Sequence, residues 1–471
     1  MKLSHIILEN MAYLPKKELG DMGIFRLKND LTIPNRFKPE DSLILFDDSR
    51  GDYFGIPLYF WKTMSHITDK IIDNRISGKP IKFTMTTTPK PDQARILGEF
   101  QKAVAQGNTG FIVNAPPGWG KTRTLIEMIQ MLGEKALVVV PKSDLVEQWV
   151  ARICDHTSMA ATEIGIFNGG KAQYNPKKKI TIGLVHTLAL DRFHQYKNDF
   201  GVVAFDEVHI SVPPKTFSPV AQLYSPKYRI GASATLKRDD GWDAAFEYNV
   251  EQIRLVGDAG TNRMKAEVYL IDYPESSGVL PHWVLNDKIK LRASLISMLS
   301  QNDRRTHFLA KATHKSCASG RRTCVISDRT AILLDIYNIL TKEMGYSQDD
   351  VGFYCSSISS QAGVQIRTVG KKEQQKTAER AKIILSTYGL MSTGTDIPDL
   401  ATILLATPQS KVTQTKGRVE RVFSGKLQPV VMDVMDTFYE ASGNWSRKRI
   451  KEYKDADMVL KKFHYSKFMG D

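Results

Sequence analysis

The chain has 471 residues, 42% apolar and 25% charged, the balance of a folded globular protein, and at about 150 residues per domain it suggests roughly three domains. No apolar run approaches the roughly 18 residues that cross a bilayer, and the first residues lack the pattern of a secretory signal. The four scattered cysteines (Cys154, Cys317, Cys324, Cys355) make no Cys-x-x-Cys pair, which argues against a zinc ribbon or disulfide scaffold and for a reducing, cytoplasmic setting. With 65 Lys+Arg against 51 Asp+Glu the net charge is +14, suited to a polyanionic partner such as nucleic acid. The excess is uneven: +2 over residues 1–88, +3 over 89–257 and +9 over 258–471.

Residues 1–88 read as a small α+β accessory domain. Its aromatic passage (Tyr53, Phe54, Tyr59, Phe60, Trp61) alternates at Ile56, Leu58 and Phe60 as a core strand does, while Arg50, Lys62 and Lys70 leave base stacking as the other reading. The polar run 84–91, with Pro89 and Pro91, marks a boundary. From 89 to 257, short apolar runs at 111–115, 136–140, 180–185, 202–205 and 228–231 read as buried strands. Leu125, Ile126, Ile129 and Leu132 share a helix face that Gly133 stops, and Ser143 is placed to cap a helix carrying Leu145, Val146 and Trp149. The glycines around 257–265 mark a second boundary. Strand-like runs then return at 323–326, 351–354, 383–386, 402–406 and 429–434, with a helix at 331–344. Strand–helix alternation predicts two α/β domains with parallel sheets, 89–257 and 258–440, whose ligands lie at the carboxyl ends of the strands. Residues 441–471 form a basic, aromatic tail, either a phosphate-binding extension or a helix packed on the second domain.

The segment Ala115-Pro116-Pro117-Gly118-Trp119-Gly120-Lys121-Thr122, followed by Arg123, leaves a strand and opens a helix. Gly118 and Gly120 let the backbone curl its N–H groups around phosphates, Lys121 reaches the β and γ phosphates, and the Thr122 hydroxyl ligates Mg2+. The strict P-loop pattern has Gly where Ala115 stands. Asp206-Glu207-Val208-His209 closes the strand at 202–205, about 85 residues after Lys121. A carboxylate there faces the phosphate loop: Asp206 holds Mg2+ through its water shell, and Glu207 serves as the general base for the attacking water.

Together these two motifs resemble those of superfamily 2 helicases and translocases, and the resemblance covers roughly residues 89–430. It implies two tandem RecA-like (P-loop NTPase) domains, with ATP and Mg2+ as cofactors. It also implies that His209, Ser233 and Thr235 of the Ser-Ala-Thr element link hydrolysis to strand movement, and that Gln93 reads adenine. Gln414-Thr-Lys-Gly-Arg418-Val-Glu-Arg421 looks like the family's arginine-finger element, with Arg418 and Arg421 aimed at the γ-phosphate. In the family's fifth motif, Thr387 and Gly394 border the nucleic-acid backbone and Asp396 sits by the nucleotide. Pro141, Lys142, Gln148, His186 and Thr187 match positions that hold phosphates of one strand. The short motifs are most similar to phage and viral recombination and repair helicases of the UvsW type. The implied activity is ATP-driven unwinding or branch migration of DNA by a monomer without membrane attachment. An RNA helicase or transcript-release factor is the alternative within the enzyme class, and a strand-annealing clamp the non-enzymatic one.

Overall fold

Alternation of short apolar runs with amphipathic helices builds two parallel sheets, one in each of the units Met1–Gly260 and Thr261–Asp471. The computed structural model describes residues 2–38, 40–64, 67–169, 171–172, 175, 177–212, 218–238, 240–258, 264–355, 380–388, 391, 397, 399–409, 419–420 and 425–470.

In the first unit, α1 (Pro91–Ala105) leads to β1 (Gly110–Asn114), α2 (Lys121–Leu132), β2 (Ala136–Val140) and α3 (Ser143–His156). Then come β3 (Ile164–Asn168), β4 (Lys171–Ala172), β5 (Ile180–Leu184), β6 (Val202–Asp206), β7 (Tyr228–Ser233) and β8 (Ile253–Val256). They order as β4-β3-β5-β2-β6-β7-β1-β8, parallel except for the β3–β4 pair. Because side chains alternate faces along a strand, Leu137, Val139, Val203 and Phe205 enter one core while Ala136, Val138, Val140, Val202 and Ala204 enter the other. That double burial explains why these strands are apolar throughout. Helix α2 ends at Gly133 with φ +65°, as its sequence position predicts. Ser143 differs from expectation. It is the first helical residue of α3, Lys142 stands at the cap position without a side-chain hydrogen bond, and the Ser143 hydroxyl turns to Asp144.

The leading residues form a four-stranded sheet in the order Tyr53–Ile56, Ala12–Pro15, Ile6–Leu8, Ile71–Asp73. The aromatic passage is core: Phe54, Tyr59 and Phe60 are buried in the same cluster as Phe200, Phe205 and Val250 of the parallel-sheet domain. The expected strand through Phe60 stops at Ile56, and Phe60 opens a short 3-10 turn instead. Backbone bonds tie this layer to the sheet domain, Tyr59 N–H to the Tyr248 carbonyl at 2.9 Å and Arg36 N–H to that of Asp240 at 3.0 Å.

In the second unit, β9 (Glu267–Tyr273), α4 (Asp303–Ala318), β10 (Thr323–Ser327), α5 (Thr330–Lys342) and β11 (Val351–Tyr354) come first. They precede β12 (Ile383–Thr387), β13 (Thr402–Leu405), β14 (Val430–Asp436), α6 (Glu440–Asp455) and β15 (Val459–His464). The all-parallel order is β11-β12-β10-β13-β14-β9-β15. The basic segment 441–471 is therefore part of this sheet: β15 pairs with β9 along its length. Tyr453, Tyr465 and Phe468 are buried, and Arg449, one of the basic residues of this segment, is fully buried with both Asp433 oxygens on its guanidinium at 2.8 Å. Arg447, Lys448, Lys451 and Lys454 remain exposed on α6. Among the described residues, no helix is long and apolar enough to cross a membrane.

Candidate active site

Parallel strands carry most of the described candidates of the first unit to one edge, while Gln93 and Gln148 lie on helices α1 and α3. β6, β7 and β1 are neighbours in register, Asp206 opposite Ala232 and Ser233 opposite Asn114. With strands about 4.8 Å apart, the acidic motif, the Ser-Ala-Thr element and the P-loop leave the sheet side by side, and the Ala115 N–H bonds the Ser233 carbonyl at 3.1 Å. Pro141 and Lys142 follow β2, and His186 and Thr187 follow β5, along the same edge. Pro141 and Thr187 are buried, Lys142 and His186 exposed and Gln148 half-buried. Thr187 has a local task as well, since its Oγ1 accepts from Gly169 N–H at 2.9 Å.

The loop between β1 and α2 requires left-handed backbone at Gly118 (φ +78°) and Gly120 (φ +104°), which glycine takes without a Cβ clash. A Cβ on Gly120 would also meet the Gln93 amide nitrogen at 2.2 Å. The buried Gln93 side chain latches the loop: Nε2 donates to the Trp119 carbonyl at 2.9 Å and Oε1 accepts from Lys90 N–H at 2.8 Å. The Lys121 ammonium folds back onto the carbonyls of Ala115 at 3.1 Å and Pro116 at 3.4 Å. Thr122 is half-buried in the first turn of α2. Arg123 is engaged elsewhere, donating to the Thr87 carbonyl at 2.5 Å and pairing with Glu127 at 2.6 Å.

Asp206 is buried at the end of β6, and both carboxylate oxygens accept neutral donors: Trp149 Nε1–H on Oδ2 at 2.7 Å and Glu207 N–H on Oδ1 at 3.0 Å. Burial first, then the neighbouring Glu207 charge, push its pKa up to about 6. Glu207 sits at φ +46°, ψ +57°, left-handed backbone that costs a residue with a Cβ of order 1 kcal/mol and turns the chain sharply after the strand. Its carboxylate lies 3.5 Å from His209 Nδ1, which in turn is 2.7 Å from Ser233 Oγ. Ser233 Oγ also accepts from Thr235 N–H at 3.0 Å. Glu207, His209, Ser233 and Thr235 thus form one continuous polar chain across two strand ends. The oxygen donors Asp206 and Thr122 suit a hard divalent cation such as Mg2+, and a desolvated carboxylate held by neutral donors favours one.

Thr387 ends β12, half-buried. Gly394, Asp396, Gln414, Arg418 and Arg421 lie outside the described residues. Three further groups belong to these strand ends without standing out in the sequence. Trp149, which patterns as core alone, reaches Asp206. Asp92 accepts from Trp119 Nε1–H at 2.8 Å and from Asp258 N–H at 2.7 Å, tying the phosphate loop to the chain leaving β8. At the carboxyl edge of the second sheet, Asp328 pairs with Arg292 at 2.8 Å and accepts from Gln409 at 2.9 Å. Only Asp92 has a local signal, one residue before Gln93; the other partners are separated by 36 residues or more.

Residues 86–238 match the family described as type III restriction enzyme, res subunit. A protein of Acanthamoeba polyphaga mimivirus that carries the name of an ATP-dependent RNA helicase, L396, is 25% identical over 98% of this chain and 87% of its own length. The DNA 3'-5' translocase XPB2 of Sulfurisphaera tokodaii is 36% identical over 43% of each chain. Among solved structures, S. cerevisiae Dbp5 bound to RNA and ADP BeF3 shares the fold at a TM-score of 0.53 and 12% identity, over 80% of this chain and 94% of that one. A phosphate loop leaves β1 and an Asp-Glu-x-His segment leaves β6, with β7 between them in one sheet, a second sheet follows, and over nearly its whole length the chain is similar to a protein named as an ATP-dependent helicase.

Proposed function

We propose that the chain is a DNA helicase or translocase that uses ATP hydrolysis to unwind or branch-migrate forked and junction DNA. The reading rests on one observation above the others: the P-loop, Asp206-Glu207 and Ser233 emerge from three adjacent strands at one edge. Lys121 leaves the carbonyls of Ala115 and Pro116 for the β and γ phosphates, a move that exchanges neutral acceptors for charged ones. Asp206 and Thr122 would hold Mg2+, which, when bound, would neutralise phosphate charge. Glu207 takes the proton of the attacking water. His209 and Ser233 then pass the change at Glu207 to the neighbouring strand end, where Thr235 and Arg238 follow; Arg238 donates to the His209 carbonyl. Lys142, Gln148, His186, Thr187 and Thr387 contact one strand's phosphates, and Gln93 contacts adenine once its amide is released from the loop.

DNA is preferred over RNA because the relative with the higher identity, from S. tokodaii, is named a DNA translocase; the +9 of residues 258–471 suits either phosphate backbone. RNA is the second reading, favoured by the name of the mimivirus relative over nearly the whole chain. ATPase and unwinding assays on single-stranded DNA, a fork, a four-way junction and an RNA duplex, side by side, test both. Stimulation by RNA alone overturns the DNA reading, and normal turnover by Lys121→Ala overturns the nucleotide site.

A further inference from the structure

Trp149 sits on the inner face of α3, 1% exposed, in the core shared with Leu125, Val138 and Ile182. An indole in such a place needs a partner for its N–H. The partner here is the side chain of Asp206, at 2.7 Å, 57 residues away in sequence. Glu207 N–H occupies the other carboxylate oxygen at 3.0 Å. Two donors on two different oxygens fix the rotation of the carboxylate plane, which the strand backbone alone leaves open. Each oxygen keeps a further lone pair for other donors. Both donors are neutral, so the carboxylate is oriented without losing its charge. A guanidinium in the same place would orient it equally well and remove its affinity for a cation.

We propose that Trp149 is a positioning residue for the nucleotide-bound Mg2+, its indole N–H holding Asp206 in the rotamer that would present the carboxylate to the metal. The proposal rests on the nucleotide site proposed above. It assigns Trp149 the role that outer-shell hydrogen-bond partners play at metal sites, where their loss costs about 10–100-fold in metal affinity. The same helix begins beside Lys142 and carries Gln148, so the residue that orients the metal ligand and two proposed phosphate contacts move as one body.

The test measures binding of AMP-PNP to the full chain by calorimetry, once in Mg2+ and once in EDTA. Trp149→Phe keeps a ring and removes the N–H. The expected result is that the gain in affinity conferred by Mg2+ falls about tenfold or more, while affinity in EDTA and the melting temperature stay near wild type. An undiminished Mg2+ gain overturns the proposal. If Trp149→Phe does not fold, site-specific replacement of Trp149 by benzothienylalanine substitutes sulfur for the N–H at nearly constant volume, and the same two outcomes apply. In an Asp206→Asn background Trp149→Phe should cause no further loss of the Mg2+ gain; an additive loss would make the tryptophan's role independent of Asp206 and overturn it. If wild type itself binds AMP-PNP no better in Mg2+ than in EDTA, the nucleotide site fails, and the role of Trp149 with it.

Discussion

Two parallel sheets in one chain treat a buried carboxylate in opposite ways. On β14 of the second sheet, Asp433 and Asp436 are each closed by a buried guanidinium: Arg449 spans both oxygens of Asp433 at 2.8 Å, and Arg305 meets Asp436 at 2.6 and 2.9 Å. On β6 of the first sheet, Asp206 receives an indole and a backbone N–H, neither of which carries charge. A bidentate ion pair neutralises the carboxylate and removes its attraction for a cation, although Asp433 still accepts from the Tyr453 hydroxyl at 3.0 Å. Neutral donors orient the group and leave the charge, and burial then raises its affinity for a proton or a metal. The first arrangement holds helices α4 and α6 to their sheet. The second leaves the carboxylate its charge, as the proposed cation site requires.

The largest expected effect tests the closed pairs. Arg305→Met strands the Asp436 charge and should destabilise the second unit by about 3–5 kcal/mol, read from urea unfolding. A cost under about 1 kcal/mol would erase the distinction between the sheets. Next is Glu207→Gln, which should lower ATPase turnover about 10²–10³-fold while AMP-PNP still binds; unchanged turnover removes Glu207 as the base.

Asp206→Asn probes the other side of the comparison. The Asp206 pKa is raised in the fold, so folding is penalised once the unfolded chain's carboxyl ionises, near pH 4, and fully so above about pH 6. Between pH 4 and pH 8 the stability difference should move in favour of the asparagine variant by about 1–3 kcal/mol, on top of a pH-independent cost for the one N–H donor that its amide cannot accept. A difference that does not change with pH would show that the carboxylate charge is compensated after all. The smallest effect is expected on the solvated face of α6. Replacing Arg447, Lys448 and Lys451 together with Gln should change stability by under about 0.5 kcal/mol. If that face meets duplex DNA, the salt slope of binding becomes shallower by about 0.9 for each phosphate that is no longer neutralised. An unchanged slope assigns those charges to solvent.

Local chemistry was readable wherever it follows from neighbours in the chain. Gly118 and Gly120 announce left-handed backbone, Lys121 and Thr122 follow at fixed offsets, and Gly133 stops α2. The alternating apolar runs announced both sheets. Ser143 departs from its expected cap role because capping depends on where the strand before it releases the chain, and that point is one residue earlier. The basic residues after 440 look alike in sequence, yet Arg449 is a buried partner of Asp433 while Arg447 and Lys448 face water. Charge count does not separate those roles, because a helix turns consecutive residues to different faces.

By itself, then, the sequence determined the strand periods, the phosphate loop and the acidic motif, since each is set by residues within about ten positions of one another. The tertiary structure decided which carboxylates are neutralised and which are left charged. Trp149 meets Asp206 across 57 residues and Arg305 meets Asp436 across 131. Pairings of that range depend on strand order, and strand order is a property of the packed sheets that no local spacing encodes.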